Sequence, residues 1–394
     1  MKILIVHPYI FLGGAEKAIA YLAYHLEQMG NRVAVATLSA EIEGLPPVAE
    51  KLNYLLPDER IPLDRRRFVD LKDTTRAFFK ELQKLRKLVS EFGGEYDVLN
   101  PHVFPAYWAT AGKGKVVWTC NEVLGPYDRA RDLYSSSKSF RIAFRAIKRL
   151  DMFVVSQFVG RIVTNSLMNQ RLIMERYRRT SRVAIPGVDY EFFGPDLPDA
   201  KETLDLGNKY VLLQVGALTR RKRHDLGIKV LKRIKKYIPN SILVIVGEGP
   251  LKFELVKQAK ELGLEDDVMI MGRLNEEDLK LTYKASDILL FPVTDQTFGM
   301  VPFEALASGV PVIVSTEAGC SSIIERESLG FVVRPNVDEL CNAILKARRK
   351  PDLVVEMVRR GRRYVRENLT WRRFAKIHLE EFALQVAEGE PGNK

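Results

Sequence analysis

The chain has 394 residues, 46% of them hydrophobic and 28% charged, with a formal net charge of +11. That composition excludes disordered and fibrous classes, and the length exceeds what one hydrophobic core usually serves, so two α/β domains are expected. Cys120, Cys320 and Cys341 are too few and too scattered for a disulfide framework or a zinc site, and the basic balance favours anionic partners such as nucleotide-sugars, phospholipid headgroups or nucleic acid.

The apolar start at residues 3–6 is too short for a signal peptide, and no run approaches the ~20 apolar residues of a membrane span. The expected location is the cytoplasm, with peripheral contact at the inner membrane face left open. Lys2–Val6 reads as a buried strand, followed by a loop with Gly13-Gly14. Ala18, Ile19, Leu22, Ala23 and Leu26 then recur at helical spacing, and residues 33–38 read as a second strand. This is a β-α-β unit opening a doubly wound sheet. Gly13-Gly14 can admit a ligand close to the backbone, with a helix start behind it. A dinucleotide-binding dehydrogenase is a poor match, because the full G-x-G-x-x-G pattern and an acidic residue closing the second strand are missing.

Residues 40–75 read as a charged, solvated loop that includes Arg65-Arg66-Arg67, and residues 78–89 as a helix. Residues 96–102 read as a strand with His102 at its carboxyl end, where α/β sheets place their sites. Residues 116–119 form the next strand, ending at Cys120-Asn121-Glu122. Residues 129–149 hold Arg129, Arg131, Lys138, Arg141, Arg145, Lys148 and Arg149 against the single acid Asp132, with Phe140, Phe144 and Ile147 on one helical face. A basic amphipathic helix suits an anionic membrane or phosphate-bearing acceptors, and an ordinary helix with a solvated face gives the same pattern. Pro186-Gly187 is a natural hinge.

The second half opens with the strand at residues 210–215 and the loop Gly216-Ala217-Leu218-Thr219-Arg220-Arg221-Lys222-Arg223, a cluster of cations with a helix behind it. Such a cluster at a strand end is a candidate diphosphate clamp. Residues 268–271 form a strand ending in Gly272-Arg273. Residues 288–291 form another, and Thr297-Phe298-Gly299-Met300 then turns the chain into a helix that starts with Val301-Pro302 and carries Glu304 in its first turn. Turn amides and a helix start suit a phosphate or sugar hydroxyls, and the Glu304 carboxylate can accept from paired hydroxyls such as those of a ribose. Helices are expected at residues 338–347, 353–365 and 371–386.

The stretch at residues 295–316 resembles the donor-binding motif of GT-B retaining glycosyltransferases of family 4. Members of that family usually carry two glutamates with seven residues between them around a Phe-Gly turn; here the second is Glu304 and the first position holds Gln296. The resemblance covers nearly the whole chain. It implies a GT-B fold in which two doubly wound Rossmann-like domains face a cleft: residues 1–188 on the acceptor side, 189–370 for the donor, and a helix at 371–388 packing back on the first domain. The implied activity is metal-independent retaining transfer of a hexose from a nucleoside-diphosphate sugar to a hydroxyl, lipid-linked or glycan, with no cofactor and no nucleic acid. The resemblance gives catalytic roles to Lys222, Gln296 and Glu304, and donor contacts to Gly13, Gly14, Arg221, Arg223, Gly272, Arg273, Phe298, Gly299, Met300 and Val301. It places His102, Asn121 and Glu122 near the transferred sugar and acceptor. The sequence departs from the family at three further places: Ala217 stands where an arginine is usual, Asn121 where many relatives have a histidine, and Asn100 at the first position of a His-x-His pair. A glycogen-synthase-like or disaccharide-forming transferase is a related expectation. A catalytically silent GT-B protein that binds a nucleotide-sugar or anionic partner is the alternative from another class.

Overall fold

The structure, a computed structural model, describes residues 1–59, 71–123, 138–195, 197 and 200–388. Arg65-Arg66-Arg67, Arg129, Arg131 and Asp132 lie outside the described residues, as do the side chains of Lys138, Phe140 and Arg141. The chain divides into two compact units, Met1–Pro186 with Trp371–Lys394, and Gly187–Thr370.

The first unit runs β1 (Lys2–Val6), α1 (Gly14–Gln28), β2 (Arg32–Ala36), β3 (Tyr54–Leu55), α2 (Leu71–Phe92), β4 (Val98–Pro101), β5 (Val117–Cys120), α3 (Lys138–Phe158), β6 (Arg161–Thr164), α4 (Leu167–Tyr177) and β7 (Arg182–Val183). One sheet has the order β3-β2-β1-β4 and a second β5-β6-β7, with every pair parallel. A parallel bridge from Leu99 to Val116 links the two. Ile3, Leu4, Ile5 and Val6 are all fully buried. A strand covered on both faces needs such an unbroken apolar run. Along α1 the buried face is Ala18, Ile19, Leu22, Ala23 and Leu26, and Gly30, at φ +81°, carries the chain out of the helix. The second strand is shorter than its apolar run: pairing with β1 ends at Ala36, after which the Thr37 amide bonds Leu55 O and the Leu38 amide bonds Pro8 O.

The second unit runs β8 (Tyr210–Val215), α5 (His224–Ile234), β9 (Ser241–Val246), α6 (Lys252–Glu261), β10 (Val268–Gly272), α7 (Glu276–Lys284), β11 (Ile288–Phe291), α8 (Val301–Ala307), β12 (Val312–Ser315), β13 (Phe331–Val333), α9 (Val337–Arg349) and α10 (Pro351–Asn368). Its six parallel strands lie in the order β10-β9-β8-β11-β12-β13. The order reverses between β8 and β11, so loops leaving their carboxyl ends diverge and open a crevice there. Gly361 of α10 faces α8: a Cβ there would stand 2.6 Å from Leu306 Cδ2. The missing side chain lets the two helices close up, which fixes α8 at the crevice.

The last helix, α11 (Trp371–Glu388), belongs to the first unit. Its Trp371 ring stacks on Tyr21 of α1 at 4.5 Å and 8°. Lys115 Nζ donates to Val386 O at 2.8 Å, and Arg161 of β6 pairs with Glu381 at 2.8 Å and with Glu388.

Candidate functional site

The switch point between β8 and β11 gathers the largest share of the residues singled out in the sequence. Gly216 directly follows β8 at φ +148°, a backbone that favours glycine, and a Cβ there would stand 3.2 Å from Lys222 Cε. The Lys222 stem therefore crosses directly over the strand end. Arg220–Lys222 form one 3-10 turn, and Arg223 takes a left-handed conformation at φ 53° before α5 begins. Such a conformation is uncommon for a residue with a side chain. His224, the first residue of α5, is buried, and its Nε2 lies 3.1 Å from Gly216 O. Burial pushes its pKa down to about 4, so the ring is neutral at pH 7 and donates to that carbonyl.

Across the switch, Lys222 Nζ donates to Gln296 Oε1 at 2.8 Å. The same ammonium lies 5.6 Å from the Phe291 ring centre. The two loops are tied again where the Thr294 amide donates to Arg221 O at 2.9 Å, and Arg221 Nη1 lies 3.4 Å from Asp295 O. Gln296 is held in turn by the Gly319 amide, which donates to its carbonyl at 2.7 Å. A Cβ on Gly319 would overlap Thr297 O, and one on Gly299 would stand 2.8 Å from the Phe291 ring. Only glycine fits either place. An amide oxygen carries no charge, so Gln296 orients the Lys222 ammonium without neutralising it. Arg223 is turned to Asp225 at 3.2 Å.

Glu304 is the fourth residue of α8 and only 8% exposed. Its Oε2 accepts from the Tyr283 hydroxyl at 3.0 Å. Tyr283, from α7, is fully buried, and burial together with the Glu304 charge holds its hydroxyl in the protonated, donating form. Sequence reading missed Tyr283. Its spacing along α7 carries no signal, because the partner lies 21 residues further on. The helix start offers fewer free amides than expected: Pro302 has none, and the amides of Phe303 and Glu304 both bond Met300 O, which leaves Val301 in α8 beside the turn amides. Phe298 is buried and stacks on Phe303 at 5.7 Å, so only its backbone faces the turn. Gly272 closes β10 at φ +72°, its carbonyl accepting from the Gly247 amide at 2.7 Å, and Arg273 lies 3.9 Å from Glu248.

In the first unit, His102 follows β4 and is 1% exposed. Asn100 Nδ2 donates to Val117 O and Thr119 Oγ1, so its Oδ1 is the acceptor facing His102 Nε2 at 3.0 Å. His102 therefore carries its proton on Nε2 and presents a lone pair at Nδ1, 3.4 Å from Asn121 Nδ2. Burial, with His7 and His378 nearby, holds its pKa well below the usual value. His102 is thus neutral and buried at the strand end, with both nitrogens engaged by Asn100 and Asn121. Asn121 is anchored through its carbonyl, which accepts from Asn165 at 3.0 Å and Asn169 at 2.8 Å, and the Glu122 carbonyl faces Cys120 Sγ. Gly13 is the N-cap of α1 in extended conformation. Its lack of a side chain has a local cause: a Cβ there would overlap the Glu16 carboxylate, whereas Gly14 has no atom within 4 Å of its Cβ position. Of the pair, Gly14 is the residue with open space beside it. Among the described residues no group of three or more His, Cys, Asp or Glu side chains could hold a metal ion.

Two family profiles divide the chain between them. Residues 12–192 match Glycosyltransferase Family 4, and residues 198–364 match Glycosyl transferases group 1. The chain is a family 4 glycosyltransferase. The D-inositol 3-phosphate glycosyltransferase of Salinispora tropica is 26% identical to it over 95% of this chain and 82% of that protein. A GDP-mannose-dependent alpha-(1-6)-phosphatidylinositol monomannoside mannosyltransferase of Mycolicibacterium smegmatis is 30% identical over 48% of this chain, a match that spans about half, 52%, of that protein's length. The fold of this glycosyltransferase is that of HepE from Anabaena, solved in complex with UDP-glucose, at a TM-score of 0.77 with 18% identity over 98% of this chain and 100% of that one. It is the GT-B fold, two Rossmann-like domains with parallel sheets.

Proposed function

We propose that this glycosyltransferase is a retaining hexosyltransferase that takes its sugar from a nucleoside diphosphate, needs no metal ion, and delivers the sugar to a hydroxyl on a lipid-linked or glycan acceptor. The observation that carries this reading is the Lys222 ammonium held 2.8 Å from Gln296 across the switch point, a cation oriented by an uncharged partner. As the bond from sugar to diphosphate breaks, negative charge grows on the leaving oxygen, and a fixed cation there stabilises it more than it stabilises the bound ground state. Gln296 and the turn backbone at Phe298, Gly299 and Met300 would hold the sugar, and the second oxygen of Glu304 the ribose. The acceptor oxygen bonds the anomeric carbon on the face the diphosphate leaves, and its proton passes to the departing phosphate. Relatives named for GDP-mannose and phosphatidylinositol mannoside, and a neighbour with UDP-glucose, support both donor class and lipid acceptor.

Peripheral membrane contact is supported by α3. Ile142, Arg145, Arg149 and Phe153 follow one another at steps of three or four residues, so they share a face, and all four are exposed, Ile142 at 68% and Phe153 at 55%. Phe144 and Ile147, the apolar residues singled out in the sequence, are half-buried instead. Among the described residues no helix is long and apolar enough to cross a membrane. We place the enzyme at the cytoplasmic face of an anionic bilayer.

A thermal-shift panel of nucleoside diphosphates and their sugars, followed by donor turnover with and without chelator, tests the reading. Stabilisation by one donor and chelator-resistant turnover are expected. Binding without turnover would favour the catalytically silent alternative, which rests on Ala217, Asn121 and Gln296 in place of the usual residues.

A further inference from the structure

His7 and Glu16 stand together at the N-terminal end of α1, outside the roles assigned so far. His7 follows β1 and is 3% exposed. Its Nδ1 lies 2.7 Å from Tyr9 O, and a carbonyl only accepts, so Nδ1 carries the proton and Nε2 presents a lone pair. That Nε2 is buried and has no hydrogen-bond partner. Facing it at 3.8 Å is Oε1 of Glu16, in the first turn of α1 and 5% exposed. Burial holds the His7 pKa down at about 4 and lifts that of Glu16 to about 7, so at pH 6 both groups are largely neutral. His102 is the neighbouring ring, 6.3 Å from His7 between centres, and both its nitrogens are engaged.

We propose that His7 and Glu16 form a hydroxyl-binding pair that takes one alcohol group of the acceptor between them; this rests on the function proposed above. The 3.8 Å gap is too long for a direct hydrogen bond, and one oxygen roughly 2.8 Å from each atom closes it. The oxygen must donate to the Nε2 lone pair and also bond the carboxyl group. An alcohol does both, whereas an unprotonated phosphate oxygen has no proton to give. Next to the pair, Gly14 has no atom within 4 Å of its Cβ position. The Glu16 amide bonds its own carboxylate and Lys17 is the first intrahelical donor, so the Gly14 and Ala15 amides, which have no partner within the helix, remain for a second polar group of the same ligand.

The test compares wild type with Glu16→Gln, which keeps the shape, and His7→Asn, which keeps a donor for Tyr9 O and removes Nε2. Infrared difference spectra at pH 6 should show a protonated carboxyl band that Glu16→Gln abolishes. Myo-inositol, methyl α-mannopyranoside or fructose should shift that band, and both variants should bind the effective polyol at least tenfold more weakly while binding UDP or GDP as wild type does. A band unmoved by all three polyols, or variants that bind them normally, would overturn the pair as a ligand site, and so would an equal loss of UDP or GDP affinity. Absence of nucleotide binding by wild type would instead count against the function proposed above.

Discussion

Lys222 is asked to supply charge at the moment the diphosphate departs, so its truncation has a distinctive signature. Lys222→Ala is expected to lower kcat by ~100-fold or more with a smaller change in donor affinity, read by steady-state kinetics against donor binding. A change confined to KM would make it a uniform binding residue. Glu304 divides its carboxylate between Tyr283 and, on the proposed function, the donor. Glu304→Ala should weaken donor binding by ~1.5 to 3 kcal/mol, the worth of hydrogen bonds to a charged group. Tyr283→Phe should instead lower stability in urea by ~1 to 3 kcal/mol, since it strips a buried carboxylate of its donor. Equal effects of the two substitutions on both readouts would contradict this division. The buried histidines set a third expectation. Burial depresses the pKa of His7, His224 and His378 from 6.5 to about 4. In each, the native state resists the protonation that the unfolded chain accepts. Stability is therefore fully present above pH 6.5 and is lost as pH falls through the window toward about 4. Melting temperatures across that range should fall, and His378→Asn should flatten the fall; a rise on acidification would contradict the assigned burial effects.

At the scale of elements, α3 buries Asp151 and Val155 on one side and displays other residues on the opposite one. Asp151 is fully buried and accepts from the Tyr107 hydroxyl at 2.8 Å, Trp108 Nε1 at 2.9 Å, the Tyr177 hydroxyl at 2.7 Å and Arg176 at 3.1 Å. That inward anchor leaves Ile142, Arg145, Arg149 and Phe153 facing outward. Each cation near an anionic surface contributes ~1 kcal/mol, and salt screens the attraction over roughly 10 Å at 0.1 M. Wild type is expected to co-sediment with anionic vesicles in a salt-sensitive way, and Arg145→Glu/Lys148→Glu/Arg149→Glu to lose that binding. Equal partitioning of the two proteins would leave α3 a solvated helix face and move the acceptor toward a soluble sugar. The helix itself was legible in its basic and apolar spacing. Which apolar residues face outward was not, because that depends on four partners of Asp151 that lie 25 to 44 residues away in sequence.

At the scale of the whole molecule, the doubly wound plan was legible because every strand of a parallel sheet must be a short apolar run, and runs such as Ile288-Leu289-Leu290-Phe291 stand out between turns. The Lys222 loop and the turn at Gln296 were legible as loops leaving strand ends. Their direct contact was not, since it depends on β8 and β11 being neighbours in the sheet. The burial of Glu16 was hidden for a similar reason: an acid in the first turn of a helix reads as an ordinary complement to the helix dipole, and only the packed structure puts it beside His7. Tyr283 and the closed bonding of His102 likewise arise between elements far apart in the chain.

The measurement that tests the central claim most directly is the anomeric configuration of freshly released sugar. UDP-glucose and GDP-mannose would be turned over without acceptor and followed by proton NMR before mutarotation. The proposed mechanism predicts that the sugar first appears in the α configuration of its donor, together with free nucleoside diphosphate, and that Lys222→Ala suppresses the release. A β sugar appearing first, or no release from a donor that the wild-type protein binds, would contradict it.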